Sequence, residues 1–156
     1  VDRKAKDKAF ELDGIRTLTV GLTEQEAVLI YPEGTRFSES KLTRAQKSLR
    51  AKARPDLADL SEGFTHVLPP RTSGTLALLE GAPGLDVVIL EHTGFEGSAS
   101  WSSFVNGDLI GNTLRIRVRR IPAKDIPMDN REQWLFREWQ KVDEWVGQNQ
   151  EKAHSE

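Results

Sequence analysis

Tyr31-Pro32-Glu33-Gly34-Thr35-Arg36-Phe37-Ser38 is the most informative stretch of this chain. Ahead of it lies Ala27-Val28-Leu29-Ile30, a short apolar run that predicts a buried strand. Pro32 has no N–H to give to a sheet ladder, so the strand is predicted to stop there. Gly34 lets the backbone turn tightly and lets another group come close. Glu33, Thr35 and Arg36 then bring a carboxylate, a hydroxyl and a planar cation together at the carboxyl end of that strand. Open α/β sheets hold ligands at that end, and an arginine fork can grip two phosphate oxygens at once. Taken alone, the residues leave two readings. One is a phosphate-binding turn; the other is an ordinary strand-turn-helix junction in which Glu33 and Arg36 pair with each other.

On the N-terminal side, Ala5, Ala9, Leu12 and Ile15 recur at helical spacing among charged residues, which predicts an amphipathic helix over residues 4–18, ended by Gly21. Helix, turn, strand and polar turn then follow in βαβ order. On the C-terminal side, residues 39–53 predict a basic helix with Ser38 or Ser40 as N-cap, and residues 55–63 read as a loop. Thr65-His66-Val67-Leu68 predicts a second strand, broken by Pro69 and Pro70 before Arg71. Residues 72–80 predict a short helix capped by Thr72 or Ser73 and stopped by Gly81. Residues 85–90 predict a buried strand. Residues 94–106 read as a loop in which Phe95, Trp101 and Phe104 pack locally.

Residues 114–120 alternate strictly, so Leu114, Ile116 and Val118 are expected to face a core and Arg115, Arg117 and Arg119 to form a cationic outer face. Asp129 and Glu132 have capping-box spacing for a last helix. Its apolar stripe is read as Trp134, Leu135, Val142, Trp145 and Val146, with Trp139 off the stripe. From Gly147 onward the sequence is polar and a frayed tail is expected.

Composition sets the outer bounds. The chain has 156 residues, 37% of them hydrophobic, enough for one modest core. Its net charge of −2 gives no electrostatic case for nucleic acid. With no cysteine, neither a disulfide framework nor a thiolate metal site can form. His66, His92 and His154 show no metal-ligand spacing. The apolar runs fall well short of a membrane span.

The Pro-Glu-Gly-Thr-Arg run at residues 32–36 resembles the third sequence block of the glycerolipid acyltransferases, in particular the 1-acylglycerol-3-phosphate (lysophosphatidic acid) acyltransferases. Val1-Asp2-Arg3 resembles the end of the second block. Val67-Leu68-Pro69-Pro70-Arg71-Thr72 resembles the fourth, in the form found in eukaryotic-type members and in lysocardiolipin and lysophosphatidylinositol relatives. Glu91-His92-Thr93 departs from the family pattern.

The resemblance implies an α/β fold, the C-terminal portion of a single glycerol-3-phosphate acyltransferase-like domain, with a mixed sheet flanked by helices. Residues 1–147 would form the partial domain and residues 148–156 a polar tail. It implies transfer of an acyl chain from acyl-CoA or acyl carrier protein to 1-acylglycerol-3-phosphate, giving phosphatidic acid. A metal and a covalent enzyme intermediate are not expected, and acyl-CoA or acyl-ACP is a co-substrate rather than a cofactor. Arg36 would hold the acceptor phosphate, helped by Arg3 and Arg71. Glu33, Gly34 and Pro69 would shape the site, and Thr35 would donate a hydroxyl. The partners implied are the lysophospholipid acceptor, the acyl donor and a membrane surface facing the cytoplasm.

The family's general base is a histidine in a His-x-x-x-x-Asp block. Here His66 is followed five residues on by Arg71 and His92 by Gly97, so neither fits. The chain begins at Val1 rather than Met, and the block is expected upstream in a longer protein. Two alternatives stay open: an acyltransferase for another lysophospholipid, and a non-catalytic anionic-lipid-binding relative.

Overall fold

The computed structural model describes residues 3–23, 25–94 and 113–153. Five helices and one small sheet make up the described part: α1 (Arg3–Thr17), α2 (Glu39–Ala51), α3 (Pro55–Glu62), α4 (Thr72–Gly81), β1 (Val87–Thr93), β2 (Arg115–Ile121) and α5 (Arg131–Ala153), with a single 3-10 turn at Ala123–Asp125. This is a mixed helix-and-sheet domain, consistent with the α/β class. The sheet differs from the expected one. Among the described residues its two strands are antiparallel, with Leu90 opposite Val118, and no further strand joins them into the mixed sheet expected.

α5 organises the core. Leu135, Phe136, Trp139, Val142 and Val146 form its buried stripe, packed against Leu42 of α2, Leu57 of α3, Phe64, Leu68 and Ile89 of β1. Phe64 stacks on Phe136 with ring centroids 6.2 Å apart. Trp139 therefore belongs to the stripe from which its spacing excluded it. α1 lies along α4, and Gly81 permits the approach. A Cβ there would fall 2.4 Å from Thr19 Oγ1 and 2.6 Å from the Arg16 carbonyl oxygen.

Several local expectations hold. Ser38 caps α2, its side chain accepting from the Lys41 N–H at 3.4 Å. α1, α2 and α4 occupy the segments where helices were predicted. Residues 55–63, read as a loop, instead form α3, with Pro55 in its first turn, where the missing N–H costs no helix hydrogen bond.

Residues 27–30 and 65–68 are not strands. Leu29 is 74% exposed and Tyr31 75%, and no described strand lies alongside to accept a ladder. An apolar run specifies a wish for burial but not the partner that grants it. At residues 65–67 the backbone N–H groups go to the Asp143 carboxylate of α5 rather than to a neighbouring strand. The expected βαβ unit around the polar turn is therefore absent from the described residues.

β2 alternates as predicted but with its faces reversed. Ile116 and Val118 are exposed, Val118 at 61%, while Arg115, Arg117 and Arg119 are half-buried on the side facing α5. The reason is a set of buried carboxylates. Glu91, 2% exposed, stands opposite Arg117 in the register and pairs with both Arg117 and Arg119. Glu138 of α5 pairs with Arg119 at 2.8 Å and with Lys141 at 2.6 Å. Burying an arginine is tolerable when its charge is matched and its N–H groups are bonded. Arg117 also lies over the Trp145 ring, 5.1 Å from its centroid.

α5 ends later than expected. It runs through Gly147 to Ala153, where a frayed tail was expected. A Cβ at Gly147 would meet His66 Nε2 at 2.5 Å, and the glycine makes room for that imidazole. Nor does the capping box form, because Glu132 reaches away from the helix start to Thr72 and Arg54. Phe95, Trp101 and Phe104 lie outside the described residues.

Candidate functional site

The polar turn is built without a strand. The Gly34 N–H closes it by donating to the Tyr31 carbonyl at 3.0 Å, and Gly34 takes a φ of +68°, a conformation that disfavours any side chain. Two hydrogen bonds stitch the turn to residues 68–71. The Leu68 N–H donates to Glu33 Oε2 at 3.0 Å, and the Arg71 N–H donates to the Pro32 carbonyl at 2.8 Å. Between these two anchor points lie Pro69 and Pro70, both buried, whose rings restrict the backbone.

This stitching places the Arg71 side chain against Gly34. A Cβ on Gly34 would lie 3.0 Å from Arg71 Cζ and Nε. The glycine thus serves the site twice, through its positive φ and through the space it leaves for a guanidinium. Glu33 faces inward to Leu68 rather than pairing with Arg36. Burial pushes its carboxyl above the usual range; the Leu68 N–H opposes that shift, and the nearby Asp143 charge adds to it.

Lys41, at the start of α2, completes the turn. Its Nζ donates to Thr35 Oγ1 at 3.1 Å and to the Arg36 carbonyl at 2.9 Å. The Thr35 hydroxyl accepts from Lys41 and so keeps its own proton to donate. Both Lys41 bonds are made from the first turn of α2, which begins directly after the polar turn. Arg36 is exposed beside this cluster.

The structure therefore brings together Glu33, Gly34, Pro69 and Arg71, with Thr35 and Arg36 following directly in the turn. Pro69 contributes as a buried spacer. Arg3 opens α1 at the start of the described chain, and its side chain lies outside the described residues. Thr72, expected as a helix cap, donates instead to Glu132 Oε1 at 2.8 Å, tying the start of α4 to α5.

A cleft of about 270 Å³ opens beside the turn. Its walls are Leu12 and Ile15 of α1, with Ile30, Tyr31, Pro32 and Gly74; Arg71, Ser73 and Glu11 supply its polar groups. Gly74 sets its width, since a Cβ there would come within 3.2 Å of Ile30 Cδ1. A mostly apolar cleft with a guanidinium at its edge has the chemistry to take an amphiphile whose head is anionic.

Among the described residues, no group of three or more histidine, aspartate or glutamate side chains could hold a metal ion. No described helix is long and apolar enough to cross a membrane.

Fold and site together define a mixed helix-and-sheet domain carrying a cationic turn beside an apolar cleft. The chain is similar to proteins named 1-acyl-sn-glycerol-3-phosphate acyltransferase gamma from Homo sapiens and Pongo abelii, each 32% identical over 143 residues, 88% of this chain and 35% of theirs. The Mus musculus protein of the same name matches to the same extent. The chain thus spans about a third of the length of these curated relatives. No family model matches, and no solved structure does.

Proposed function

We propose that this chain is the acceptor-binding part of an acyltransferase that esterifies the free hydroxyl of 1-acylglycerol-3-phosphate, with an acyl thioester (acyl-CoA or acyl-ACP) as donor. The observation that carries the reading is the apolar cleft with Arg71 at its edge, joined through Gly34 to the Thr35–Arg36–Lys41 corner. Arg71 and Arg36 hold the acceptor phosphate, and Thr35 donates its hydroxyl proton to a phosphate oxygen. The cleft between α1 and α4 takes the first part of the acceptor's acyl chain.

In the reaction, the acceptor hydroxyl oxygen attacks the thioester carbonyl and the C–S bond breaks. The thiol leaves with the proton that the hydroxyl gives up. The role of this chain is to fix the acceptor so that attack is effectively intramolecular. In the whole protein the site would work at a membrane surface, from the cytoplasmic side.

Titration of the chain with a short-chain lysophosphatidate kept below micelle formation tests the reading. Arg71→Ala and Arg36→Ala are each expected to weaken binding about 10- to 100-fold, the scale of a hydrogen bond to a charged group worth about 1.5–3 kcal/mol. The corresponding lysophosphatidylcholine, whose phosphate is masked, should bind more weakly and respond less to either change. Equal binding of both lipids, insensitive to both arginines, would refute the assignment. Stronger binding of lysophosphatidylinositol than lysophosphatidate would instead move the acceptor to an inositol headgroup.

A further inference from the structure

Asp143 sits in the middle of α5, a helix that contributes nothing to the walls of the cleft, and it is buried. One of its oxygens, Oδ1, accepts three consecutive backbone N–H groups, from Thr65 at 2.9 Å, His66 at 2.7 Å and Val67 at 2.9 Å. The other, Oδ2, faces the Thr65 hydroxyl at 3.3 Å. A hydrophobic helix face would bury Val67 and Leu68 without any carboxylate. A buried charge is costly unless fully bonded, so what Asp143 adds to this segment is a fixed position.

The bonded segment leads directly to the cationic turn. Leu68 follows Val67, and its N–H holds Glu33. Pro69 and Pro70 then carry the chain, with little rotational freedom, to Arg71, whose N–H holds Pro32. The route from Asp143 to the Arg71 backbone runs through these hydrogen bonds and the two prolines, while Thr72, bonded to Glu132, holds the chain on the other side of Arg71. Without Asp143, three N–H groups would need new partners, and the strand conformation that the apolar run favours would compete for them.

We infer that Asp143 is a positioning residue for Arg71: it fixes residues 65–67 on α5, and through Leu68 and the two prolines it sets where the guanidinium stands against Gly34. The consequence for ligand binding rests on the acceptor-site reading above. The consequence for Arg71 itself does not.

The test compares Asp143→Ala and Asp143→Asn with Val146→Ala, which removes buried apolar volume from the same helix and leaves the Asp143 carboxylate in place. Three quantities are read in the 156-residue chain: thermal midpoint, affinity for short-chain lysophosphatidate, and the heteronuclear NOE of the Arg71 Nε–H, which reports order of that side chain. Asp143→Ala is expected to bring the Arg71 NOE down to values of a free surface arginine and to weaken binding about 10- to 100-fold, the scale of a misplaced binding group. Asp143→Asn keeps an acceptor at Oδ1 and should retain affinity within about threefold. Val146→Ala should lower the thermal midpoint while leaving the Arg71 NOE and the affinity unchanged.

An ordered Arg71 in Asp143→Ala, or an equal loss of order in Val146→Ala, would overturn the inference. If the unaltered chain binds no lysophosphatidate, the acceptor reading fails alone, because the Arg71 NOE still decides the role of Asp143. Should Asp143→Ala not fold, Asp143→Ser carries the same comparison. It keeps a polar atom but falls short of all three N–H groups.

Discussion

Replacing Glu91 by glutamine should destabilise the chain far more than its place on a short, amphipathic strand would suggest. Glutamine keeps the shape and removes the charge that Arg117 and Arg119 share on the inner face of the sheet. Breaking a buried pair by removing one partner costs about 3–5 kcal/mol. Here the arginines retain some relief. Arg119 keeps Glu138, and Arg117 keeps the Lys141 carbonyl and the face of Trp145. Both arginine side chains are also partly exposed, so a loss of about 2–4 kcal/mol is expected. In a domain of this size that is a fall of about 4–16 °C in thermal midpoint. The control is Arg120→Gln on the outer face, whose side chain is 75% exposed and pairs with Asp86; it should cost at most about 1 kcal/mol. Urea unfolding of the three proteins gives the comparison directly. If Glu91→Gln cost no more than Arg120→Gln, the arginines would not be facing α5, and the apolar row Leu114, Ile116 and Val118 would be the buried one after all.

Three further outcomes are expected. Gly34→Ala combines a left-handed φ with a Cβ 3.0 Å from the Arg71 guanidinium. It should cost about 1–2 kcal/mol and weaken lysophosphatidate binding, whereas Gly63→Ala, with open space around it and a φ of −76°, should do neither; a calorimetric titration of both decides. The folded pKa of Glu33 is raised, chiefly by burial, so the folded chain binds that proton more readily than the unfolded one. Stability from this group is then lost as pH rises from the ordinary glutamate range through the raised value. Glu33→Gln should therefore gain on the unaltered protein in thermal midpoint as pH rises from about 4, then hold level above the window; a gain that appears on acidification instead would show the carboxylate to be held charged. Gly147→Ala should destabilise by about 1–3 kcal/mol through overpacking against His66, but in a His66→Ala background it should stabilise by about 0.5–1 kcal/mol. No change of sign in that double-mutant cycle would mean that His66 does not rest on Gly147.

Local chemistry made much of the molecule legible in the sequence. Helical spacing marked α1, α2 and the last helix, Ser38 marked a cap, and the period of two marked β2. The residues of the polar turn and Arg71 were named from their resemblance to acyltransferase sequence blocks, since the turn by itself reads equally as an ordinary junction. The same resemblance supplied the role expected of those residues. Other elements were not legible because their signals are ambiguous one segment at a time. Pro55 reads as a break in one context and as a helix start in another. Gly147 opens a stretch that reads as a frayed tail, although it is a contact surface for a histidine 81 positions away in the chain.

What the sequence determined by itself, then, is periodicity and turn chemistry, since these depend on neighbours along the chain. Tertiary structure alone decided which face of β2 is inside, because alternation fixes that Arg115, Arg117 and Arg119 share a side but not which side it is. Glu91 and Glu138, distant in sequence, settle that choice by neutralising the arginines where they are buried. It also decided where the backbone donors of residues 65–68 go. An apolar run asks for a sheet, but Asp143 and Glu33 offer carboxyl oxygens at hydrogen-bonding distance, and these take the N–H groups that a neighbouring strand would otherwise have to accept.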